Sequence, residues 1–208
     1  MNRQEFSAAS GIGLLYLVRM LGLFMVLPVL PVSALEISGA TPFLIGLAIG
    51  IYGLSQAALQ IPLGLLSDRI GRKQVIGLGL GLFIAGSLVA GIADDIHVLI
   101  LGRFMQGCGA IASSLLALLS DLTRVDQRAK AMALVGIAIA GSFGLSLILG
   151  PLISSYIGLS GIFFLTAALG LLGLVILLLF IATPEVRSIN LDTTVQGNLI
   201  GVVLGDRG

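Results

Sequence analysis

Charge is scarce in this sequence: only 10% of its 208 residues are Asp, Glu, Lys or Arg, while 57% are hydrophobic. A water-soluble domain carries charge on about a quarter of its residues, so water cannot be the solvent for most of this surface. The net charge of +1 gives no reason to expect nucleic acid as a partner. The composition therefore excludes a soluble domain and predicts a protein whose main partner is the lipid bilayer.

Cysteine is also scarce, and tryptophan is absent. The single cysteine, Cys108, excludes an intrachain disulfide and lies in an apolar run, where it fits a small packing residue. The sequence contains no nucleophile–base pair, no cluster of metal-ligating residues and no phosphate-binding loop. We therefore expect no enzyme activity, no metal and no cofactor.

What the sequence has instead is six apolar stretches, each about as long as the 20 residues that cross a bilayer. The first contains Arg19, and no small-residue cleavage site follows it, so it is predicted to remain as helix 1 and not to be a signal peptide. The stretches predict an all-α membrane protein with six transmembrane helices, at Ser10–Leu35, Phe43–Leu66, Val75–Ala93, Val98–Leu119, Ala131–Ile153 and Gly161–Ile181.

The loop charges predict the orientation of these helices. Of eleven basic residues, two lie inside predicted helices, and the other nine all fall on one side of a six-crossing chain. By the positive-inside rule that side, with both termini, is cytoplasmic. The nine residues are Arg3, Arg69, Arg72, Lys73, Arg124, Arg128, Lys130, Arg187 and Arg207.

The loop after helix 2, GLLSDRIGRK, concentrates four charges in an otherwise apolar chain. Positive charge would keep such a loop in the cytoplasm, and glycine would allow a tight turn, but neither accounts for Asp68. The loop resembles the signature of the major facilitator superfamily. It matches that signature in the order and spacing of Gly64, Asp68, Arg69, Gly71, Arg72 and Lys73.

A second motif strengthens the resemblance. Helix 4 begins LILGRFMQGCGA, where Arg103, Gln106, Gly107 and Gly109 are spaced like the helix-4 motif of the superfamily. The chain from RMLGLFMVLPVLP through the loop is similar to drug/proton antiporter-type members, in particular the YajR type. This similarity covers almost the whole sequence.

The resemblance implies a fold and a domain division. Six helices would form one half of a twelve-helix transporter, built from two three-helix repeats in inverted orientation. Helices 3 and 6 lack a polar face, which suits the outer positions of such a half. Residues 1–183 are predicted to form the helical bundle, and residues 184–208 a cytoplasmic tail resembling the start of the loop between the halves.

The resemblance also implies a gate at the cytoplasmic surface. Asp68 would cap a helix of the second half, whose amino end favours a carboxylate. Arg72 would pair with Asp121 at the end of helix 4. The loop would then hold the cytoplasmic side closed until the two halves rock.

Polar residues recur at helical spacing inside helices 1, 2, 4 and 5. They could simply bond helix to helix, and Arg19 could reach the membrane surface, but two arginines at membrane depth favour a water-filled cavity. In a chain without its second half, we expect Arg19 and Arg103 to be exposed on that face. The candidate lining residues are Tyr16, Arg19, Tyr52, Gln56, Gln60, Ser113, Ser142 and Ser146.

The sequence departs from the antiporter pattern at helix 5 and in its acidic residues. Gly150-Pro151 is in place, but Ser146 stands where a glycine is expected. No carboxylate lies at mid-membrane depth in the six predicted helices, since Glu36 and Asp121 are at helix ends, whereas many drug/proton antiporters carry such an acid as a proton site.

Two functional hypotheses follow. One is the amino-terminal half of an efflux-type carrier of small molecules in the bacterial inner membrane, with protons as the candidate coupling ion, that works with a second half or a second copy. The other is a truncated or half-length membrane protein without transport activity, which acts as an interaction subunit.

The charge distribution generates a direct test of topology. A reporter fused after residue 38 should report the outer side, and one fused after residue 126 the cytoplasm, because all loop cations lie on one side. Alkaline phosphatase and green fluorescent protein fusions measure this. If both sites report the same side, the six-crossing topology is wrong.

Overall fold

The computed structural model describes residues 1–181, and in this range the chain is almost entirely helical. The six α-helices are α1 (Arg3–Ser33), α2 (Pro42–Ile70), α3 (Arg72–Gly91), α4 (Ile96–Cys108), α5 (Ala112–Asp121) and α6 (Arg128–Phe180). Short 3-10 turns lie at Ala34–Glu36 and Val125–Gln127. The predicted tail, residues 184–208, lies outside the described residues.

The predicted all-α membrane fold is confirmed, whereas the count of six transmembrane helices stays a prediction. Residues 1–181 contain five continuous helical stretches that are long and apolar enough to span a membrane, and the last of them is 56 residues long. The fourth predicted helix is interrupted and forms α4 and α5, while the fifth and sixth join end to end in α6. The apolar patterns predict where helices lie, but not whether a loop separates two of them.

Helix α6 changes direction at Gly158, the one position inside it with a non-helical backbone (φ 67°, ψ −174°). Ser146 donates a hydrogen bond to the carbonyl of Leu21, and Thr166 donates one to the carbonyl of the adjacent Gly22. In a straight helix, residues 146 and 166 would lie about 30 Å apart. The chain therefore folds back at Gly158, so that both arms of α6 pack against the same level of α1.

The core runs along α1. Four of its apolar side chains, Ile12, Leu15, Val26 and Leu30, are completely buried. The amino end of the helix is fixed by a capping box, in which Asn2 accepts from the backbone N–H of Glu5 and Glu5 accepts from that of Asn2. This cap explains why α1 begins seven residues before the predicted apolar stretch.

Helices α2 and α4 approach closely through a glycine. A Cβ atom at Gly107 would overlap with Ser55 Oγ and with the carbonyl oxygen of Tyr52 on α2. In the structure, Ser55 Oγ instead donates to the carbonyls of Ile51 and Phe104. The close contact between α2 and α4 therefore requires glycine at position 107, and small residues are common where membrane helices pack.

Helix α2 leaves most of its surface uncovered. Its large apolar side chains are exposed along the helix, and no atom lies within 4 Å of a Cβ placed at Gly46, Gly50 or Gly53. In a membrane protein such a face meets lipid or another helix. The exposed residues include Phe43, Leu47, Leu54, Ile61 and Leu65.

The close approach of α2 and α4 predicts the effect of adding one methyl group. Gly107→Ala should lower the stability of the chain by about 1–3 kcal/mol, because overpacking forces backbone shifts. Gly53→Ala is the matched control, with open space around it, and should be neutral or slightly stabilising since alanine favours a helix. Thermal unfolding in detergent compares the two, and equal melting temperatures would contradict the packing described here.

Candidate functional site

The charged loop between α2 and α3 is a one-residue turn. Helix α2 ends at Ile70 and α3 begins at Arg72, with Gly71 between them at φ 108°. Residues with a side chain rarely adopt this φ, so glycine suits the turn. Gly64 lies about two helical turns before Gly71 on α2, and a Cβ there would come 3.0 Å from Ser113 Oγ of α5.

Arg72 joins three helix ends at this turn. Its Nη1 donates to Ser67 Oγ of α2 at 2.8 Å, and its Nε donates to Asp121 Oδ2 of α5 at 3.2 Å. It also forms an ion pair with Asp68, whose side chain is half exposed. The structure thus brings together Asp68, Arg72 and Asp121, while Arg69 is exposed. Ser67 was not predicted from the sequence.

Lys73 makes a contact that sequence reasoning missed. Its Nζ donates to the carbonyl oxygens of Ile181 at 2.8 Å and Leu178 at 3.3 Å, at the carboxyl end of α6. The last carbonyls of a helix have no partner within the helix, and a cation there also suits the helix dipole. A basic residue in a loop gives no sequence signal for a partner more than a hundred residues away.

A second ion pair ties the start of α1 to the connection between α5 and α6. Arg124 Nε donates to Glu5 Oε1 at 2.7 Å, and the Arg124 backbone N–H donates to the same oxygen at 3.3 Å. The carboxylate raises the pKa of Arg124 above its ordinary value. The sequence held one signal for Glu5, the Asn-x-x-Glu spacing of the capping box.

Arg103 is completely buried and crosslinks three helices. Its Nε donates to the Ala48 carbonyl of α2 at 3.2 Å, and its Nη1 donates to Gln106 Oε1 at 2.7 Å. Gln106 in turn donates to Ser87 Oγ of α3 at 2.7 Å. The guanidinium also lies 4.7 Å from the centre of the Tyr52 ring, a cation–π distance.

Arg19 is completely buried as well, beside the interruption between α4 and α5. Its Nη2 donates to the Gly109 carbonyl at 2.9 Å, and its guanidinium carbon lies 5.2 Å from the centre of the Phe83 ring on α3. Tyr16, one turn earlier on α1, donates to the Ala112 carbonyl at 3.0 Å.

The expectation that both arginines are exposed in this chain alone is therefore wrong. Arg19 and Arg103 each have 0% exposure with no second half present. The physical reason is that the neighbouring helices cover both guanidinium groups, each of which donates to a backbone carbonyl and lies against an aromatic ring.

Of the other predicted lining residues, the serines form hydrogen bonds within or between helices, and the glutamines are only partly buried. Ser113 donates to the Gln60 carbonyl of α2, and Ser146 donates to Leu21 on α1 and to Ser142 of its own helix. Ser142 donates to a carbonyl of its own helix. Gln56 and Gln60 are half-buried, and their Oε1 atoms have no partner among residues 1–181.

The partial helix-5 motif lies against α1. Gly150 is buried, and a Cβ there would lie 2.7 Å from the Met25 carbonyl oxygen, whereas Pro151 is exposed. A cleft of about 260 Å³ lies near the turn of α6, lined by residues that include Glu36, Gly158 and Ser160. None of the predicted lining residues borders it.

Comparison with known proteins identifies relatives over nearly the whole chain. The profile described as Major Facilitator Superfamily matches residues 12–202. The inner membrane transport protein YajR of Escherichia coli K12 is 45% identical over 202 residues, which is 97% of this chain and 44% of that protein. The quinolone resistance protein NorA of Staphylococcus aureus Mu50 is 30% identical, over 89% of this chain and 47% of its own length.

A solved structure agrees in fold. The crystal structure of the human organic anion transporter MFSD10 (TETRAN) superposes with a TM-score of 0.73 at 21% identity, over 88% of this chain and 49% of that one. This likeness concerns the fold alone. The chain spans about half the length of each of these relatives.

The buried network predicts a stability role for Arg103. Arg103→Met should destabilise the chain by about 1.5–3 kcal/mol, because it removes charge-assisted hydrogen bonds and leaves Gln106 Oε1 without its donor. Arg3→Met, at an exposed arginine, is the control and should change stability little. Thermal unfolding in detergent gives the comparison, and equal effects of the two substitutions would show that the network contributes nothing.

Proposed function

The chain belongs to the major facilitator superfamily of membrane transporters, and from this membership we propose that it forms the amino-terminal half of a secondary active transporter for small molecules. The match over residues 12–202 and the share of about half of each relative support this proposal. Membership places the chain among transporters and not among enzymes. A second half, or a second copy, would complete the substrate site.

The proposed topology has six crossings in two inverted three-helix repeats, with both termini in the cytoplasm. Helix α6 supplies two of these crossings, which meet at Gly158. Its 53 residues are far too long for one crossing, and both arms contact α1 at Leu21 and Gly22. The loop cations support the cytoplasmic placement of the termini.

The proposed gate is the cluster around Arg72, and the observation that carries it is that this side chain, at the start of α3, contacts the ends of two other helices. Ser67 and Asp68 come from α2, and Asp121 comes from the end of α5. The ion pairs are partly exposed and so stabilise the fold by about 1 kcal/mol or less. Contacts this weak can break and re-form while the halves rock.

Asp68 would add the contact to the second half. Its side chain is 51% exposed although it pairs with Arg72, so one side of the carboxylate faces away from this chain. A carboxylate in that position can accept hydrogen bonds from the amino end of a helix.

The transported compounds are proposed to be small molecules that leave the cell across the inner membrane. Relatives are called a quinolone resistance protein and a methylenomycin A resistance protein, names that suit efflux. Coupling to protons would require a group that can take up and release a proton within the membrane. Within residues 1–181, every carboxylate lies near a helix end or in a connection.

A second candidate function is a half-length interaction subunit that does not transport. The burial of both membrane arginines inside this chain favours it, because the chain covers these charges without a partner. A subunit of this kind would persist in the membrane but move no substrate by itself, since alternating access needs two bodies.

The gate is tested with Asp68→Asn in the chain paired with a complementary second half. Dye efflux from reconstituted vesicles should fall about tenfold or more at equal protein level, because the gate loses its charge while the core is unchanged. Asp94→Asn, at an exposed aspartate in the α3–α4 connection, is the matched control and should transport normally.

Two outcomes would contradict these proposals. Normal efflux by the Asp68→Asn protein would leave the loop with a topological role only. Efflux by a purified, monomeric form of this chain alone would show that one half suffices, whereas no efflux even with a second half present would favour the interaction subunit.

A further inference from the structure

The fourth predicted crossing is interrupted partway along its length. Helix α4 ends at Cys108 and the ten-residue α5 begins at Ala112, so that the carboxyl end of one helix faces the amino end of the next. We call the three residues between them, Gly109–Ile111, the α4–α5 break. Each helix end carries unpaired backbone groups and about half an elementary charge, negative at the end of α4 and positive at the start of α5.

The negatively charged carboxyl end of α4 is paired with a cationic side chain of the protein itself. Arg19 Nη2 donates to the Gly109 carbonyl at 2.9 Å, from a guanidinium that is completely buried. The same guanidinium lies over the Phe83 ring at 5.2 Å. The carbonyl side of the break therefore has its positive partner.

The positive end of α5 has no such partner. Its N-cap residue, Ile111, makes no side-chain cap. The backbone N–H groups of Ala110, Ile111, Ser113 and Ser114 have no hydrogen-bond acceptor within the part of the chain that the structure describes. A helix start in a dry environment needs acceptors for these groups, since water is not there to replace them.

Side-chain donors beside the break are also unpaired. Nε and Nη1 of Arg19 and Oγ of Ser114 are buried and have no partner among residues 1–181. These unpaired donors belong to the first turn of α5 and to Arg19, which is joined to the break by its hydrogen bond to the Gly109 carbonyl. No carboxylate of residues 1–181 contacts Arg19, whose recorded partners are a carbonyl and an aromatic ring.

We propose that the α4–α5 break binds a small monovalent anion, either a halide or a carboxylate group. Only an acceptor can satisfy such a set of donors, and a negative charge is favoured both by the guanidinium and by the amino end of α5. A cation is disfavoured by the same charges. The site is independent of the proposed transport, since it rests on groups within this chain.

The test uses the purified chain in detergent and measures its melting temperature against increasing sodium chloride or sodium acetate. Sodium gluconate, whose anion is too bulky for a helix break, keeps the ionic strength constant. Chloride or acetate should give a saturable rise in melting temperature, because a ligand that binds only the folded state stabilises it. A response to chloride alone identifies a halide site, and a response to acetate identifies a carboxylate site.

Two variants locate the effect. Arg19→Met should weaken the apparent affinity for the anion at least tenfold. Arg103→Met is the matched control, a second fully buried arginine, and should lower the melting temperature but keep the anion response. If Arg19→Met does not fold, Ser114→Ala should weaken the affinity several-fold, since it removes one donor.

The proposal is overturned if chloride and acetate act no differently from gluconate. It is equally overturned if the anion response survives unchanged in Arg19→Met, or in Ser114→Ala where Arg19→Met does not fold. Either result would mean that the donors at the break are satisfied by water or by another element.

Discussion

A guanidinium group inside a membrane must find its partners in the protein, and this requirement determines how the helices of the chain meet. On scales derived from membrane-insertion experiments, which give the lowest values, placing a charged side chain at the bilayer centre costs about 2.5–3.5 kcal/mol. Arg103 meets the cost by joining α4 to α2 and, through Gln106, to α3. Arg19 joins α1 to the α4–α5 break and to α3. Glycines such as Gly107 then allow the helices to come close enough for these contacts.

The sequence alone predicted what depends on composition and short-range spacing. The apolar stretches located the helices, because lipid demands about twenty apolar residues for each crossing. The loop motif pointed to Arg72 and Asp121, which are hydrogen-bonded in the structure although 49 residues apart. That pairing was implied by resemblance and not by spacing, and its role as a gate stays a prediction.

The features that were missed depend on the relative placement of distant segments. Hydropathy is the same on both sides of Gly109, so nothing in the apolar pattern marks a break there. Arg19 lies against Phe83 of α3, and Lys73 bonds to the carboxyl end of α6. Both contacts join segments that are far apart in the sequence. Polar residues at helical spacing can line a cavity or bond to a neighbouring helix, and the sequence does not separate the two cases. Ser146 bonds to a neighbouring helix.

The turn at Gly158 has a consequence for biogenesis. Between residues 131 and 181 the chain contains no Asp, Glu, Lys, Arg or His, and a single non-helical residue connects the two arms of α6. A hairpin of this composition can enter the bilayer as one unit, and no charged loop has to be carried to the far side. In the proposed topology, the arginines and lysine that precede it, up to Lys130, would stay on the cytoplasmic side. For this last part of the bundle, transfer into the bilayer would therefore carry no cost of moving a charged side chain.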